Sequence, residues 1–427
     1  MQPADTRYQN YIQVLREELV PAMGCTEPIA IAYGAAKARE VLGCLPETVL
    51  VEASGNIIKN VKSVVVPNTG GLHGIEAAAA AGIVAGKADK ILEVIADVSD
   101  QDKAAIKAYL DSHEIKVLPA EGDVIFDIIL TLRAGASFVK LRISDYHTNI
   151  VYVEKDGEVL LEAGHTADSP AAASLTDRSF MSVQDILEFV ETMNVDDVRE
   201  MVERQINYNY AIAEAGIAGN WGANIGSVLL RNYGDDVKVR ARAMAAAGSD
   251  ARMSGCELPV IIVSGSGNQG ITASVPVWRY GLFMGASEEK ILRAVALSDL
   301  ITIHQKTGIG RLSAYCGAVS AGVGAGCGIA WLRGADYDGV SHTICNAVAM
   351  ISGCICDGAK ASCASKIAMA IGTGILGYNM YLGGNNFRPG DGIEGTDVED
   401  TIRNVGILAS KGMHETDRVI LNIMTGR

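Results

Sequence analysis

The apolar pattern of this 427-residue chain changes between residues 165 and 182, and that change constrains its fold most strongly. Before it, β-rich segments alternate with helical ones. After it, apolar residues recur at spacings of three, four and seven, as in amphipathic helices. The stretch 165–182 is rich in Ser, Ala and Asp, which is typical of a linker. We therefore predict an α+β protein, with an N-terminal α/β domain over residues 1–170, containing a small mixed or antiparallel sheet, and a larger, mostly α-helical domain over 183–427.

Local patterns predict the individual elements. The N-terminal helices are predicted over residues 8–20, 30–42, 75–85 and 101–112. Strands are predicted over 49–51, 61–66, 124–132, 138–143, 149–154 and 159–162, the last two forming a hairpin. The C-terminal helices are predicted around 186–193 and 198–202, and over 207–230, 237–248, 288–305, 318–332, 344–352, 366–382 and 398–408. Thr26 is the expected N-cap of the second helix, and the first helices, over 7–42, are free to pack on the helical domain.

The charge balance excludes some classes of partner. Lys and Arg total 36 against 50 Asp and Glu, and no basic run is present, so nucleic acid and anionic membranes are poor partners. The start of the chain lacks the basic and apolar segments of a signal peptide, and the apolar runs 319–332 and 367–382 are short or broken by glycine. An odd count of nine cysteines fits reduced thiols. We therefore expect a cytoplasmic protein with no membrane partner.

Six of the nine cysteines lie between residues 311 and 366. Polar or Gly-rich segments surround Cys316, Cys356 and Cys363, as expected at a loop or a helix end. Small or apolar runs surround Cys327 and Cys345, so these two are predicted to pack inside helices as small hydrophobic residues. The clustering alone leaves a metal site and a set of buried thiols equally open.

The spacing of the first three cysteines is more specific. Cys316 and Cys356 are 40 positions apart, and Cys363 follows 7 positions later, within Tyr-Cys-Gly-Ala and Cys-Asp-Gly-Ala-Lys-Ala-Ser-Cys. This pattern resembles the iron–sulfur L-cysteine desulfidases, which are relatives of the iron–sulfur L-serine dehydratases. Gly-Cys-Thr-Glu-Pro near the start and Gly-Ser-Gly-Asn-Gln-Gly in the middle extend the resemblance over nearly the whole chain. It implies a 4Fe-4S cluster on these three cysteines, whose open iron acts as a Lewis acid, and no pyridoxal phosphate.

Cys25, in the first of those motifs, is placed at the start of a predicted helix. There the helix dipole is expected to lower the pKa of the thiol. The resemblance makes Cys25 the base that removes the substrate's α proton, and a thiolate there could equally cap the open iron. A cysteine that merely packs at a helix start is the alternative, and His73, His147 and His304 would then be the next candidates for the base.

Polar residues in Gly-rich segments, together with two lysines, are candidate substrate ligands. The segment 264–270 contains Gly-x-Gly-x-x-Gly, but no acidic residue follows at the distance that a dinucleotide fold requires. We interpret it as a cradle of backbone N–H groups for a carboxylate. The alternative for the Gly-rich segments is a turn satisfied by its own backbone, and the alternative for the lysines is a solvated surface charge. The candidates are Ser54, Asn56, Asn68, Thr69, Ser266, Asn268, Lys306 and Lys360.

The resemblance implies β-elimination of L-cysteine to pyruvate, ammonia and sulfide. One alternative is the same chemistry on L-serine. The other is a non-catalytic iron or redox sensor, which the absence of any recognisable DNA-binding module disfavours. The expected partner is a small amino-acid substrate, with a homodimer possible. The site is expected in a cleft where the two parts of the chain meet.

Overall fold

The structure is a computed structural model that describes residues 1–122, 124–163 and 175–426. It confirms the α+β class, with a mixed six-stranded sheet in the N-terminal part and a largely helical C-terminal part. Residues 165–174 of the predicted linker, with the domain boundary at 170, lie outside the described residues. The domain division therefore stays a prediction.

Helices dominate the described chain. The helices of the N-terminal part are α1 (Thr6–Glu18), α2 (Thr26–Leu42), α3 (Gly55–Val61), α4 (Gly74–Ala85) and α5 (Asp100–Ser112). Those of the C-terminal part are α6 (Val183–Thr192), α7 (Arg199–Ala218), α8 (Ile225–Tyr233), α9 (Val237–Met253), α10 (Gly267–Phe283), α11 (Glu288–Ile309), α12 (Gly317–Leu332), α13 (Tyr337–Ile351), α14 (Ser362–Leu382), α15 (Val398–Ile407) and α16 (His414–Thr425). Short 3-10 or π segments occupy Ala88–Glu93, Val195–Asp197 and Leu408–Gly412.

The strands form one large sheet and one short pair. They are β1 (Pro21–Met23), β2 (Thr48–Ala53), β3 (Ile115–Pro119), β4 (Asp127–Ala134), β5 (Ser137–Ser144), β6 (Ile150–Lys155), β7 (Glu158–Glu162) and β8 (Pro259–Ile261). The large sheet has the order β3-β2-β4-β5-β6-β7, parallel only between β2 and β3. Helix α2 packs on it through Gly34, where an added Cβ would lie 2.7 Å from the Leu130 side chain.

The first residues of the chain pack on the helical part. The ring of Tyr8 in α1 meets that of Phe189 in α6 edge to face, with centroids 5.3 Å apart. Strand β1 then pairs antiparallel with β8, which precedes α10. Helix α2, in contrast, packs on α4 and the sheet. Cys25 therefore lies at the joint between β1 and α2, where the two parts of the chain meet.

Close contacts at glycines fix the central helices of the C-terminal part. An added Cβ at Gly322 would lie 2.5 Å from the backbone of Ala370, and one at Gly326 would lie 2.6 Å from that of Gly374. Gly322 faces Ala370 and, four residues later in both helices, Gly326 faces Gly374, so α12 and α14 run parallel. Their N-terminal ends, with Cys316 and Cys363, therefore lie at the same end of the bundle.

Several predicted elements are wrong. The strand predicted at 61–66 is absent, because residues 55–61 form α3 and the rest has only a Val65–His73 bridge. The single helix predicted over 207–230 is two helices, α7 and α8, separated at Gly219 and at Gly222, whose φ is +54°. Cys25 rather than Thr26 is the N-cap of α2. Strands β1, β3 and β8 and helices α3, α10 and α16 were not predicted.

No helix among residues 1–122, 124–163 and 175–426 is long and apolar enough to cross a membrane. The apolar run 319–332 lies in α12, whose residues are almost all buried, and the run 367–382 lies in α14, which exposes Met369, Leu376 and Leu382.

The helix crossing gives a stability prediction. Gly326→Ala should lower the free energy of unfolding by about 1–3 kcal/mol, because the new methyl group meets the backbone of Gly374 and cannot displace it cheaply. Gly353→Ala, which meets nothing within 4 Å, is the control. Denaturant unfolding measures both, and equal stabilities of the two variants would contradict this packing.

Candidate functional site

Four helix N-termini open on one internal cavity of about 100 Å³. Cys25, Ser266 and Cys316 are the N-caps of α2, α10 and α12, and Cys363 lies in the first turn of α14. Each N-terminus carries partial positive charge and N–H groups that have no partner within the helix. The cavity therefore favours anionic groups. Its wall is formed by both parts of the chain: Cys25, Glu27, Asn60, Arg252, Ser266, Asn268, Gln269, Lys306, Arg311, Leu312, Ser313, Tyr315, Cys316, Gly317, Ala318, Cys356, Gly358, Ala359, Cys363 and Ile367.

The three cysteines predicted as cluster ligands all line this cavity. The Cys316 N–H donates to the Cys354 carbonyl at 3.1 Å, and the Cys356 N–H donates to the Ala314 carbonyl at 2.6 Å. These bonds hold two distant segments side by side. The loop after Cys356 turns at Gly358 (φ +98°), where an added Cβ would lie 2.4 Å from the carbonyl oxygen of Lys59 in α3.

Backbone amides act on all three sulfur atoms. Burial raises the pKa of Cys356, and it raises that of Cys363 to about 11. The pKa of Cys316 is raised first by a hydrogen bond with Cys354 and then by burial. Backbone contacts act to lower the same pKa values: Gly358 acts on Cys356, Lys360 on Cys363 and Ala318 on Cys316. Such contacts stabilise thiolates, the form in which cysteine binds metal.

Three thiols in the wall of one cavity are donors of the kind that iron–sulfur clusters use. Within the described ranges, no three His, Cys, Asp or Glu side chains are arranged to hold one metal ion. In a cubane cluster each thiolate binds a different iron, so its cysteines surround a volume instead of converging on a point. Cys316, Cys356 and Cys363 line such a volume. Their role as ligands stays a prediction.

The other three cysteines of this stretch do not line the cavity. Cys354 adjoins it, because its thiol is hydrogen-bonded to Cys316, and that bond lowers the pKa of Cys354 to about 7. Cys327 is fully buried within α12, and Cys345 is half-buried in α13, where its thiol is 3.6 Å from the Thr401 hydroxyl.

Cys25 lies beside a buried carboxylate. Its thiol donates to Oε2 of Glu27 at 3.0 Å, and Oε1 of Glu27 accepts from Nδ2 of Asn60 at 3.0 Å. Burial first, and then the charge of Glu27, raise the pKa of Cys25 well above its ordinary value, although Arg252 lowers it. The predicted lowering of this pKa by the helix dipole is therefore wrong, because burial and the adjacent carboxylate outweigh the dipole. At neutral pH Cys25 carries a proton that is directed at Glu27.

Two buried cations line the cavity without an ion-pair partner among the described residues. Lys306 is 5 % exposed, and burial lowers its pKa to about 8, although Cys356 and Cys316 act to raise it. Arg252 is 2 % exposed, and its Nε and Nη2 atoms have no hydrogen-bond partner. The neighbouring Arg311, in contrast, donates to Glu18 at 3.1 Å. The cavity thus holds positive charge that its own residues do not neutralise.

Three amide oxygens in the cavity wall also lack partners within the described chain. They are Oδ1 of Asn60, Oδ1 of Asn268 and Oε1 of Gln269. Buried polar atoms are rarely left unsatisfied without a ligand or water. The wall therefore offers hydrogen-bond acceptors for a donor such as an ammonium group.

The predicted substrate ligands divide into two sets. Ser266, Asn268 and Lys306 line the cavity with Cys25. Ser54 and Asn56 line a separate groove, which shares Arg311, Leu312 and Ser313 with the cavity.

The remaining candidates are satisfied elsewhere. The Asn68 side chain donates to the Ile95 and Ala96 carbonyls, and Thr69 donates to the Val66 carbonyl. Thr69 thus satisfies its own turn, whereas Asn68 ties that turn to the segment that follows Ala88–Glu93. Lys360 pairs with the Asp357 carboxylate at 2.5 Å and does not line the cavity.

Sequence reasoning missed four residues of the wall. Glu27 and Gln269 lie inside motifs that were noted, in Gly-Cys-Thr-Glu-Pro and Gly-Ser-Gly-Asn-Gln-Gly, so a signal was available. Arg252, in the last turn of α9, and Asn60, in α3, had no local signal. Tertiary packing alone brings them to the cavity.

Comparison with known proteins gives a consistent family assignment. Residues 89–422 match the family profile described as serine dehydratase alpha chain. A UPF0597 protein of Desulfitobacterium hafniense is 60 % identical over 424 residues, covering 99 % of this chain and 98 % of that protein. UPF0597 proteins of Treponema denticola and Lachnoclostridium phytofermentans are 46 % and 49 % identical, each covering 98 % of this chain, and 98 % and 99 % of their own lengths.

The contact between Cys25 and Glu27 predicts a pH dependence. Burial acts to raise the pKa of Glu27, but the hydrogen bond from Cys25 and the charge of Arg252 act to hold that pKa below its ordinary value, so Glu27 is ionised. Burial lowers the pKa of the nearby His147 to about 4, so this ring is neutral at neutral pH. Glu27→Gln should therefore lower the pKa of Cys25, because the repulsion of the thiolate is removed. The pH profile of Cys25 alkylation by iodoacetamide, followed by mass spectrometry, measures this shift. Cys256, whose pKa is raised by burial, is the control, and an unchanged Cys25 profile would contradict the assignment.

Proposed function

Because this chain belongs to the serine dehydratase alpha chain family, we propose that it catalyses β-elimination on a free L-amino acid, with L-cysteine as the substrate. The products are pyruvate, ammonia and sulfide. Family membership supports amino-acid β-elimination in general. The finer assignment is carried by one observation: three cysteines with thiolate-stabilising amides share a cavity with a fourth cysteine that is hydrogen-bonded to a carboxylate.

Cys316, Cys356 and Cys363 would hold a 4Fe-4S cluster. When bound, the cluster supplies a Lewis-acidic iron that favours departure of the substrate's sulfur. The residues around the thiols fit this group. Lys306 is positioned to offset the negative charge of the thiolates, since Cys356 and Cys316 both act to raise its pKa, and the N-terminus of α12 adds positive charge at Cys316.

Cys25 is the proposed base. In this proposal the charge of Arg252, which acts to lower the pKa of Cys25, favours loss of the thiol proton. Glu27, which Asn60 holds in position, takes up that proton along the existing 3.0 Å hydrogen bond and passes it to the departing sulfide. The thiolate of Cys25 then removes the α proton from the substrate. Loss of the β-sulfur gives aminoacrylate, which hydrolyses to pyruvate and ammonia.

L-serine is the second candidate substrate, and the description of the family as serine dehydratase favours it. The same residues would serve, since L-serine differs from L-cysteine only in carrying a hydroxyl group at the β-carbon. The leaving group is then a hydroxyl, which departs less readily than a thiol without strong Lewis-acid assistance.

A direct assay tests the proposal. The protein is reconstituted with iron and sulfide without oxygen and incubated separately with L-cysteine and L-serine. We expect pyruvate and sulfide in equal amounts from L-cysteine, at a higher kcat/KM than pyruvate from L-serine. Pyruvate from L-serine alone would favour the second candidate, and the absence of product from both amino acids would contradict the proposal.

Cysteine variants in the same assay separate the two roles of the thiols. Cys25→Ser should keep the visible spectrum of the cluster but lose turnover by roughly 10²–10⁴-fold, because a hydroxyl is a far weaker base than a thiolate. Cys316→Ala, Cys356→Ala and Cys363→Ala should lose iron and activity together. The exposed Cys44→Ala is the control for both measurements. Full turnover by Cys25→Ser, or normal iron content in the three alanine variants, would contradict the assigned roles.

A further inference from the structure

Arg252 is a buried charge without a counterion. Its side chain lies in the last turn of α9 and lines the cavity, and Nε and Nη2 have no hydrogen-bond partner among the described residues. A guanidinium is charged at every physiological pH, so it cannot avoid the cost of burial by losing its proton. Leaving such a group unpaired is strongly destabilising. The ionised Glu27 lies close enough for Arg252 to lower its pKa but forms no ion pair with the guanidinium, so Nε and Nη2 remain open to an anionic ligand.

The structure also gives Arg252 access to a helix N-terminus. Gly267 is the first residue of α10, and an added Cβ there would lie 2.4 Å from Nε of Arg252. Any larger residue at this position would push the guanidinium away. Glycine therefore lets two positive features, the guanidinium and the start of α10, meet at one place in the wall.

The two unpaired cations serve different regions of the cavity. Met253, the residue after Arg252, packs with Cys25 in one buried cluster. The charge of Arg252 acts to lower the pKa values of Cys25 and Glu27. Arg252 therefore lies near the proposed base. Lys306 interacts instead with Cys356 and Cys316, on the side of the proposed cluster. In an α-amino acid the carboxylate and the acidic proton are attached to the same carbon atom. The carboxylate subsite must therefore adjoin the base, where Arg252 is located.

We propose that Arg252, together with the N-terminus of α10, binds the α-carboxylate of the substrate, while the unpaired amide oxygens of Asn268 and Gln269 accept hydrogen bonds from the α-ammonium group. This inference rests on the proposed function and adds the residues that bind the two charged groups of the free amino acid. Amino acids blocked at either end would be excluded, because each buried polar group would then lose its partner.

Arg252 then acts on the rate as well as on binding. Removal of the α proton places negative charge on the carbon next to the carboxylate, and a guanidinium already paired with that carboxylate stabilises this charge. Loss of Arg252 should therefore raise KM and lower kcat. A purely structural role would change neither once folding is normal.

The test uses Arg252→Gln and Arg252→Lys in the reconstituted protein, with two thiol ligands. 3-Mercaptopropionate carries the carboxylate without the ammonium, and cysteamine carries the ammonium without the carboxylate. We expect Arg252→Gln to weaken 3-mercaptopropionate binding by roughly 30-fold or more and to leave cysteamine binding nearly unchanged. Arg252→Lys, which keeps the charge but loses the forked geometry, should fall between Arg252→Gln and the unmodified protein. For L-cysteine, KM should be lowest and kcat highest in the unmodified protein, intermediate in Arg252→Lys, and most changed in Arg252→Gln.

Arg242→Gln is the matched control, because Arg242 lies on the same helix and donates to the Ala368 carbonyl outside the cavity. Iron content and thermal unfolding establish that each variant folds and loads normally. Equal weakening of both thiols, loss of the cluster in Arg252→Gln, or unchanged 3-mercaptopropionate binding would each overturn the inference. If the unmodified protein turns over neither amino acid, the proposed function fails, whereas calorimetric binding of the two thiols still decides the role of Arg252.

Discussion

The site depends on the close packing of helices α10, α12 and α14. Helix α10 runs parallel to α12, because an added Cβ at Gly317 would meet Gln269 and one at Gly328 would meet Val277. Small residues at the crossings, such as Gly322 and Gly326 in α12, let the helices approach until backbone meets backbone. Because the helices run in the same direction, their N-termini share one end of the bundle. Helix α2 joins them there, since the Thr26 hydroxyl donates to the Gly265 carbonyl at 2.9 Å. Cysteines placed at or beside these N-termini necessarily face one another across a positively polarised cavity.

Electrostatics then define what the cavity can hold. Four helix N-termini and two unpaired cations stand against a single buried carboxylate, Glu27. Such an excess of positive charge is costly in a buried region unless anions complete it. Three thiolates and a substrate carboxylate are anions of suitable chemistry, and the two cations lie on the two sides where these groups would bind. The arrangement therefore separates a region for the leaving group from a region for proton removal.

The sequence predicted what depends on local pattern and missed what depends on packing. The α+β class followed from apolar periodicity, and the sorting of Cys316 from Cys327 followed from the residues around each cysteine. The strand predicted at 61–66 failed because Val61 ends α3, and the turn that follows pairs only through the Val65–His73 bridge, which the buried Val64 and Val66 flank. Arg252 could not be predicted, since no pattern in α9 distinguishes it from the other arginines of that helix.

The central claim is that three cysteines of this cavity hold a cluster with one iron open to substrate. Mössbauer spectroscopy of protein reconstituted with ⁵⁷Fe tests it most directly. If three thiolates bind three irons, addition of L-cysteine should change the parameters of about one quarter of the iron signal and leave the rest unchanged. A spectrum in which no iron responds to the amino acid, or in which the protein takes up no cluster iron at all, would contradict the account.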